Sequence, residues 1–95
     1  MKIVHSENFK IELGKIIVFI ANDSVNRALE FRNELLEKIN KISDMPYAYV
    51  KNTQANNENV RNLIFKGYTI VFRITKEQIK ILGIFKNNKH KFSAS

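Results

Sequence analysis

The sequence predicts an α+β fold: an N-terminal strand and a two-helix hairpin packed on a twisted antiparallel sheet of three to four strands. Three observations carry this reading. Two apolar stripes at helical spacing occupy the first half of the chain, three runs of period-two alternation fill Val60 to Phe85, and a polar, asparagine-rich segment lies between them.

Lys2 to His5 is a short apolar-centred run, an edge strand that the later strands can recruit. Ser6 then offers a helix cap, and Glu7 places a carboxylate where the first turn favours one. Phe9, Leu13, Ile16, Ile17 and Ile20 recur at helical spacing, so a first helix is expected over residues 6–21. Gly14 weakens it by roughly 1 kcal/mol relative to alanine, which suggests close packing against a neighbour. Asn22-Asp23-Ser24 reads as a stop and restart, since all three prefer caps to helix interiors. The second helix, from Val25 to Ile42, carries the stripe Ala28, Phe31, Leu35, Ile39 and Ile42. Glu34 with Lys38, and Glu37 with Lys41, stand at the favourable i,i+4 order on its outer face. Met45-Pro46 ends it, because proline disfavours helical geometry in the residue before it.

The segment KNTQANNEN predicts a surface loop, with Tyr47, Tyr49 and Val50 packing on the sheet or opening a short strand. A meander follows. Val60 to Phe65 turns at Lys66-Gly67, where Gly67 supplies positive φ, into Tyr68 to Ile74, and a second turn at residues 75–78 leads into Ile79 to Phe85. On the middle run Tyr68, Ile70, Phe72 and Ile74 share an apolar face, with Thr69, Val71 and Arg73 opposite. The last run is apolar on both faces apart from Lys80 and Gly83, as a strand with two neighbours would be.

Ninety-five residues, 44% of them hydrophobic, suffice for one domain with one core, here residues 1–95, with 86–95 as a flexible basic tail. No apolar run is long enough to span a membrane, and Met1 to Phe9 lacks the apolar stretch of a secretory signal. With no cysteine, a cytoplasmic protein is the default. The net charge of +7 is unevenly placed. Residues 1–50 hold seven Lys/Arg and seven Asp/Glu, whereas residues 51–95 hold nine against Glu58 and Glu77. That asymmetry points to an acidic or polyanionic partner on the second half.

Two histidines, at positions 5 and 90, give no zinc spacing; three glycines make no phosphate loop; and no serine elbow or carboxylate dyad is present. No metal and no cofactor are expected. His5 is read as structural, and Tyr68 as core. The polar sheet face offers no aromatic platform for stacking a base, which counts against a general nucleic-acid-binding module.

The order strand, helix, helix and meander, carried by IANDSVNRALEFRNELLEKI, ISDMP, VRNLIFKGYTIVFRI and IKILGIF, resembles the RelE/ParE superfamily of bacterial toxins. In that family a helical hairpin ends near a proline, here Pro46. A strand of the type valine, arginine, x, leucine, here Val60 to Leu63, precedes a glycine-tyrosine hairpin, here Gly67-Tyr68. The resemblance covers nearly the whole chain. It implies the toxin of a type II toxin–antitoxin pair that stabilises a plasmid or chromosome, held in a hetero-oligomer by the cognate antitoxin that wraps it.

Relatives either poison DNA gyrase or cleave mRNA on the ribosome, and the residues lean toward gyrase. Ribosome-dependent nucleases place an arginine directly after the glycine-tyrosine pair, where this chain has Thr69, and an arginine with a tyrosine or histidine near the end of the last strand. Only Lys86, Lys89 and His90 stand there as catalytic candidates; if the chain is an enzyme, it is a metal-independent endoribonuclease using them. The expected contacts to target or antitoxin are Arg61, Arg73, Lys80, Lys86 and Lys89, gathered on or beside one face. Arg61 is equally read as salt-bridged to a helix carboxylate, and Arg73 as paired with Glu77. An inactive relative that only binds antitoxin is a further alternative.

Overall fold

The computed structural model describes residues 1–87. Its elements are β1 (Lys2–His5), α1 (Glu7–Asp23), α2 (Val25–Asn40), two 3-10 turns (Lys41–Asp44 and Pro46–Ala48), β2 (Val50–Lys51), β3 (Val60–Phe65), β4 (Tyr68–Ile74) and β5 (Gln78–Lys86). Ser6 caps α1 by accepting the Phe9 N–H at 3.0 Å. Ser24 alone separates the helices: its N–H donates to the Ile20 carbonyl, and its hydroxyl accepts the Arg27 N–H at 3.2 Å. One residue thus closes one helix and opens the next, so Asn22 and Asp23 stay helical where a break at all three was expected. The second helix stops at Asn40 and tightens into a 3-10 turn that still buries Ile42.

The sheet has five strands in the order β1-β5-β4-β3-β2. It is mixed, because β1 runs parallel to β5 while the other pairs are antiparallel. The expected three or four antiparallel strands are extended by the two-residue β2 at the far edge. Lys66 and Gly67 both adopt positive φ, 46° and 83°, so the β3–β4 turn uses two left-handed residues where one glycine was foreseen.

One face of the sheet is covered by the helices. Phe9 and Leu13 of α1, and Phe31, Leu35 and Ile39 of α2, meet Leu63, Phe65, Ile70, Phe72, Ile79, Ile81 and Ile84. The Phe31 ring stands edge-on to Phe65 and Tyr68 at 5.4 and 5.6 Å, and Tyr49 to Phe72 at 5.5 Å. Lys66 reaches across to Glu34 at 3.1 Å, tying the β3–β4 turn to α2. Glu34 therefore serves the turn, and neither expected i,i+4 pair of α2 forms among the described residues. Gly14 is exposed, and a Cβ there would meet nothing within 4 Å, so close packing is not why it is glycine.

A bulge in β5 decides which side chains the other face presents. Phe72 pairs with Ile81 and Val71 with Gly83, leaving Leu82 as the extra residue. The Leu82 carbonyl accepts the Ser6 hydroxyl at 3.0 Å and the Asn8 amide at 3.3 Å, while the Ser6 N–H donates to the Ile81 carbonyl. The bulge thus sits where β1 ends and α1 begins. Beyond it parity switches: Ile84 and Lys86 turn to the helices, Gly83 and Phe85 to the open side.

Candidate functional site

The uncovered face of the sheet carries Lys2, Arg73 and Lys80 together with the polar side chains Asn62, Thr69 and Gln78. Cross-strand register lays it out in rows. Ile64, Thr69 and Phe85 form one; Asn62, Val71 and Gly83 the next; Val60, Arg73, Lys80 and Val4 the third. Arg73 and Lys80 are both exposed and directly opposite, and Lys2 lies two residues before Val4 on β1, beside Gln78. Neither Arg73 nor Lys80 has an ion-pair partner among the described residues, so the expected Arg73–Glu77 pair is absent there.

At the other end of the same face a hollow of about 340 Å³ opens between the β2–β3 loop and β5. Asn52, Thr53 and Gln54 line it from the loop, and Asn62, Thr69, Val71, Phe85 and Asn87 from the sheet. Asn52 organises the loop: its carbonyl oxygen accepts the Gln54 and Ala55 N–H groups, and its amide donates to Asn62 at 3.0 Å. Thr69 donates its hydroxyl to the Asn87 side-chain oxygen. Both bonds engage the acceptor ends of Asn62 and Asn87, which leaves their NH₂ ends for a ligand's acceptors. Phe85 leans across Gly83, two of its ring carbons lying 3.1 and 3.2 Å from where a Cβ at Gly83 would stand. Gly83 therefore makes room for an aromatic surface on the open side, 56% exposed. An exposed aromatic ring thus stands on the face where the sequence offers none. Its signal was Leu82-Gly83, which interrupts strict alternation.

The expected contact residues divide. Arg73 and Lys80 share the open face. Arg61, between Lys51 of β2 and the buried Phe72 of β4, lies on the helical side. There its guanidinium donates to the carbonyls of Glu58 (2.8 Å), Tyr47 (3.1 Å) and Tyr49 (2.9 Å) and lies over the Tyr47 ring at 5.1 Å. Its partners are backbone carbonyls, with no helix carboxylate among them, and it fastens the segment after α2 to the sheet. Lys86 is the last residue of β5, opposite Tyr68 and near Glu12, Lys15 and Phe19 of α1, on the face away from Arg73. Arg61 and Lys86 thus do not share the open face with Arg73. Lys86 also belongs to the sheet and not to a tail; Lys89 and His90 lie outside the described residues.

His5 belongs to the helical side. It pairs with Ile81 in register and meets the Phe9 ring edge-on at 5.2 Å. Burial, and then the neighbouring Lys10 charge, hold its pKa below the usual value. Among the described residues no helix is long and apolar enough to cross a membrane.

Comparison with known proteins agrees with this architecture. A solved chain of the chromosomal ParDE toxin–antitoxin system from P. aeruginosa superposes with a TM-score of 0.75 at 16% identity, over 93% of this chain and 97% of that one. No curated protein gives a match. The family model for the ParE toxin of the type II toxin–antitoxin system parDE matches residues 3–89. On that match over nearly its whole length, the chain belongs to the ParE toxin family of type II toxin–antitoxin systems.

Proposed function

We propose that this toxin acts by binding, through the open sheet face, and that its target is DNA gyrase. One observation carries the reading. Among the described residues, the strand positions on the open face hold Thr69, Asn62, Gln78, Lys2, Arg73 and Lys80 between apolar side chains such as Val71 and Phe85, and no Asp, Glu, His or Tyr. Cleaving RNA through its 2′-hydroxyl needs a group to take that proton and another to protonate the leaving oxygen. The amides, the hydroxyl and the Arg–Lys pair on that face suit it to hold an anionic or acceptor-rich surface. The cognate antitoxin, which family membership implies, neutralises the toxin; an acidic segment laid over Arg73 and Lys80 would block the target directly.

A second reading, a ribosome-dependent mRNA endonuclease, is favoured by the exposed Phe85 ring beside the amide-lined hollow, a pairing suited to a stacked base. In that reading Lys86, Lys89 and His90 supply the chemistry. Expression of the chain should arrest bacterial growth, and two measurements during arrest separate the readings. Gyrase-linked DNA breaks without new transcript 5′ ends agree with the first; codon-spaced transcript ends without DNA breaks overturn it.

A further inference from the structure

The hollow at the end of the open sheet face has the dimensions of a small-ligand site. Its volume of about 340 Å³ falls at the low end of the roughly 300–1,000 Å³ usual for such sites. Its wall is also held in place by the chain itself. Within the β2–β3 loop Asn52 accepts the Gln54 and Ala55 N–H groups and Asn57 accepts the Asn59 N–H at 2.9 Å. From outside the loop the Tyr47 hydroxyl donates to Asn59 at 2.8 Å, and Lys51 meets Glu58 at 3.1 Å. A wall formed in advance spares the ordering cost that a mobile loop imposes on binding.

The polar groups define what fits. Asn62 and Asn87 are half-buried, and each has its side-chain oxygen engaged, by Asn52 at 3.0 Å and by Thr69 respectively, so each offers the hollow N–H alone. Two fixed donors call for two acceptors on one rigid edge. The exposed Phe85 ring beside them calls for a flat partner. Cations stand at one end. Arg73 follows Val71 by two residues, about 7 Å along β4, with Lys80 opposite, and Asn52, whose N–H donates to the Val60 carbonyl at 2.9 Å, brings the loop wall to the same row. At the other end the row of Ile64, Thr69 and Phe85 holds no cation. A single strand binds through a basic groove that tracks its backbone past the stacked base, whereas one base with one phosphate needs cations at one end only. Among bases, guanine presents O6 and N7 as adjacent acceptors, while adenine sets its N6 donor beside N7. We propose that the hollow is a site for a guanine mononucleotide, its base on Phe85 with the acceptor edge toward Asn62 and Asn87, and its phosphate on Arg73 and Lys80. The site goes beyond the choice of toxin target and does not depend on it.

The test is calorimetric titration of the purified full chain with guanosine 5′-monophosphate, which should saturate at one molecule per chain. Adenosine 5′-monophosphate should bind at least about tenfold more weakly, because it sets a donor against the fixed amides. That comparison is made on the unaltered chain and needs no variant. Phe85→Ala should weaken the guanine nucleotide by roughly ten- to a hundredfold. Arg73→Glu should weaken it by about tenfold or more at low salt, yet leave the binding of guanosine, which has no phosphate, unchanged. The absence of saturable binding at millimolar guanosine 5′-monophosphate overturns the proposal, as does equal affinity for the two nucleotides. Binding that inorganic phosphate reproduces overturns it too, since the hollow then plays no part. A single-stranded tetranucleotide of DNA or RNA that binds more than about tenfold tighter than the mononucleotide assigns the face to a strand, and the proposal fails. Growth arrest and gyrase enter none of these readouts, so failure of the site and failure of the proposed target are separate results.

Discussion

Arg73 and Lys80 face each other across β4 and β5 on the open side of the sheet, two like charges in direct register and without an ion-pair partner among the described residues. Directly opposed like charges cost a few tenths of a kcal/mol in an exposed pair. Arg73→Glu converts the repulsion into an attraction. It should leave the urea midpoint unchanged or slightly raised, while growth arrest in an induction titration falls sharply. Loss of arrest accompanied by a lowered midpoint would mean that Arg73 supports the fold instead of meeting a partner.

Much of this architecture was legible beforehand because it rests on local patterns. Alternation set the bounds of β3 and β4, and the stripe from Ala28 to Ile42 set the buried side of α2. What escaped depends on contacts distant in sequence. The Leu82 bulge is stitched to Ser6 and Asn8, more than seventy residues away, and it alone turns Phe85 outward and Lys86 inward. Arg61 reads from sequence as a target contact or as the partner of a helix carboxylate, because the carbonyls that hold it belong to irregular backbone, which has no periodicity to read. The parallel pairing of β1 follows from the chain's return across the helical layer, a topological choice that a four-residue strand does not announce.

Arg61 should behave as the reverse of Arg73. Removing its guanidinium leaves the carbonyls of Glu58, Tyr47 and Tyr49 without a donor, so Arg61→Ala should destabilise by about 1–2 kcal/mol, partial exposure moderating the loss. Arg61→Lys should recover little, since an ammonium cannot reproduce the planar fork. Chemical denaturation of both variants measures this, and a midpoint within a few tenths of a kcal/mol of wild type would show that water replaces those bonds.

Gly14 and Gly83 should respond oppositely to alanine. At Gly14 the added methyl meets nothing, so the helix gains roughly 1 kcal/mol of propensity. At Gly83 the methyl would stand 3.1 Å from the Phe85 ring, which must swing away. Thermal midpoints should therefore rise for Gly14→Ala, while Gly83→Ala should lower activity more than stability.

The His5 pKa is lowered in the folded chain from an ordinary 6.5. Below that value the unfolded chain takes up a proton that the folded chain resists, so stability is full above about pH 6.5 and declines as pH falls toward the folded pKa. His5→Gln, which cannot titrate, should flatten that part of the profile of unfolding free energy against pH. An unchanged slope would assign the acid sensitivity to the carboxylates.

Phe85 gives the sharpest separation of fold from function on the open face. Its ring is more than half exposed and lies over Gly83, outside the core of Phe72, Ile81 and Ile84. Phe85→Ala should therefore shift the unfolding free energy by less than about 1 kcal/mol, far below the roughly 3–5 kcal/mol expected for Phe31→Ala or Phe72→Ala. If a base or a flat side chain of the target rests on that ring beside Asn62 and Asn87, losing the stacking surface removes about 1–3 kcal/mol of binding, or roughly ten- to a hundredfold in affinity. Growth arrest should then require correspondingly more toxin. Full arrest by a stably folded Phe85→Ala chain would move the target contact away from the hollow, leaving Arg73 and Lys80 as its centre.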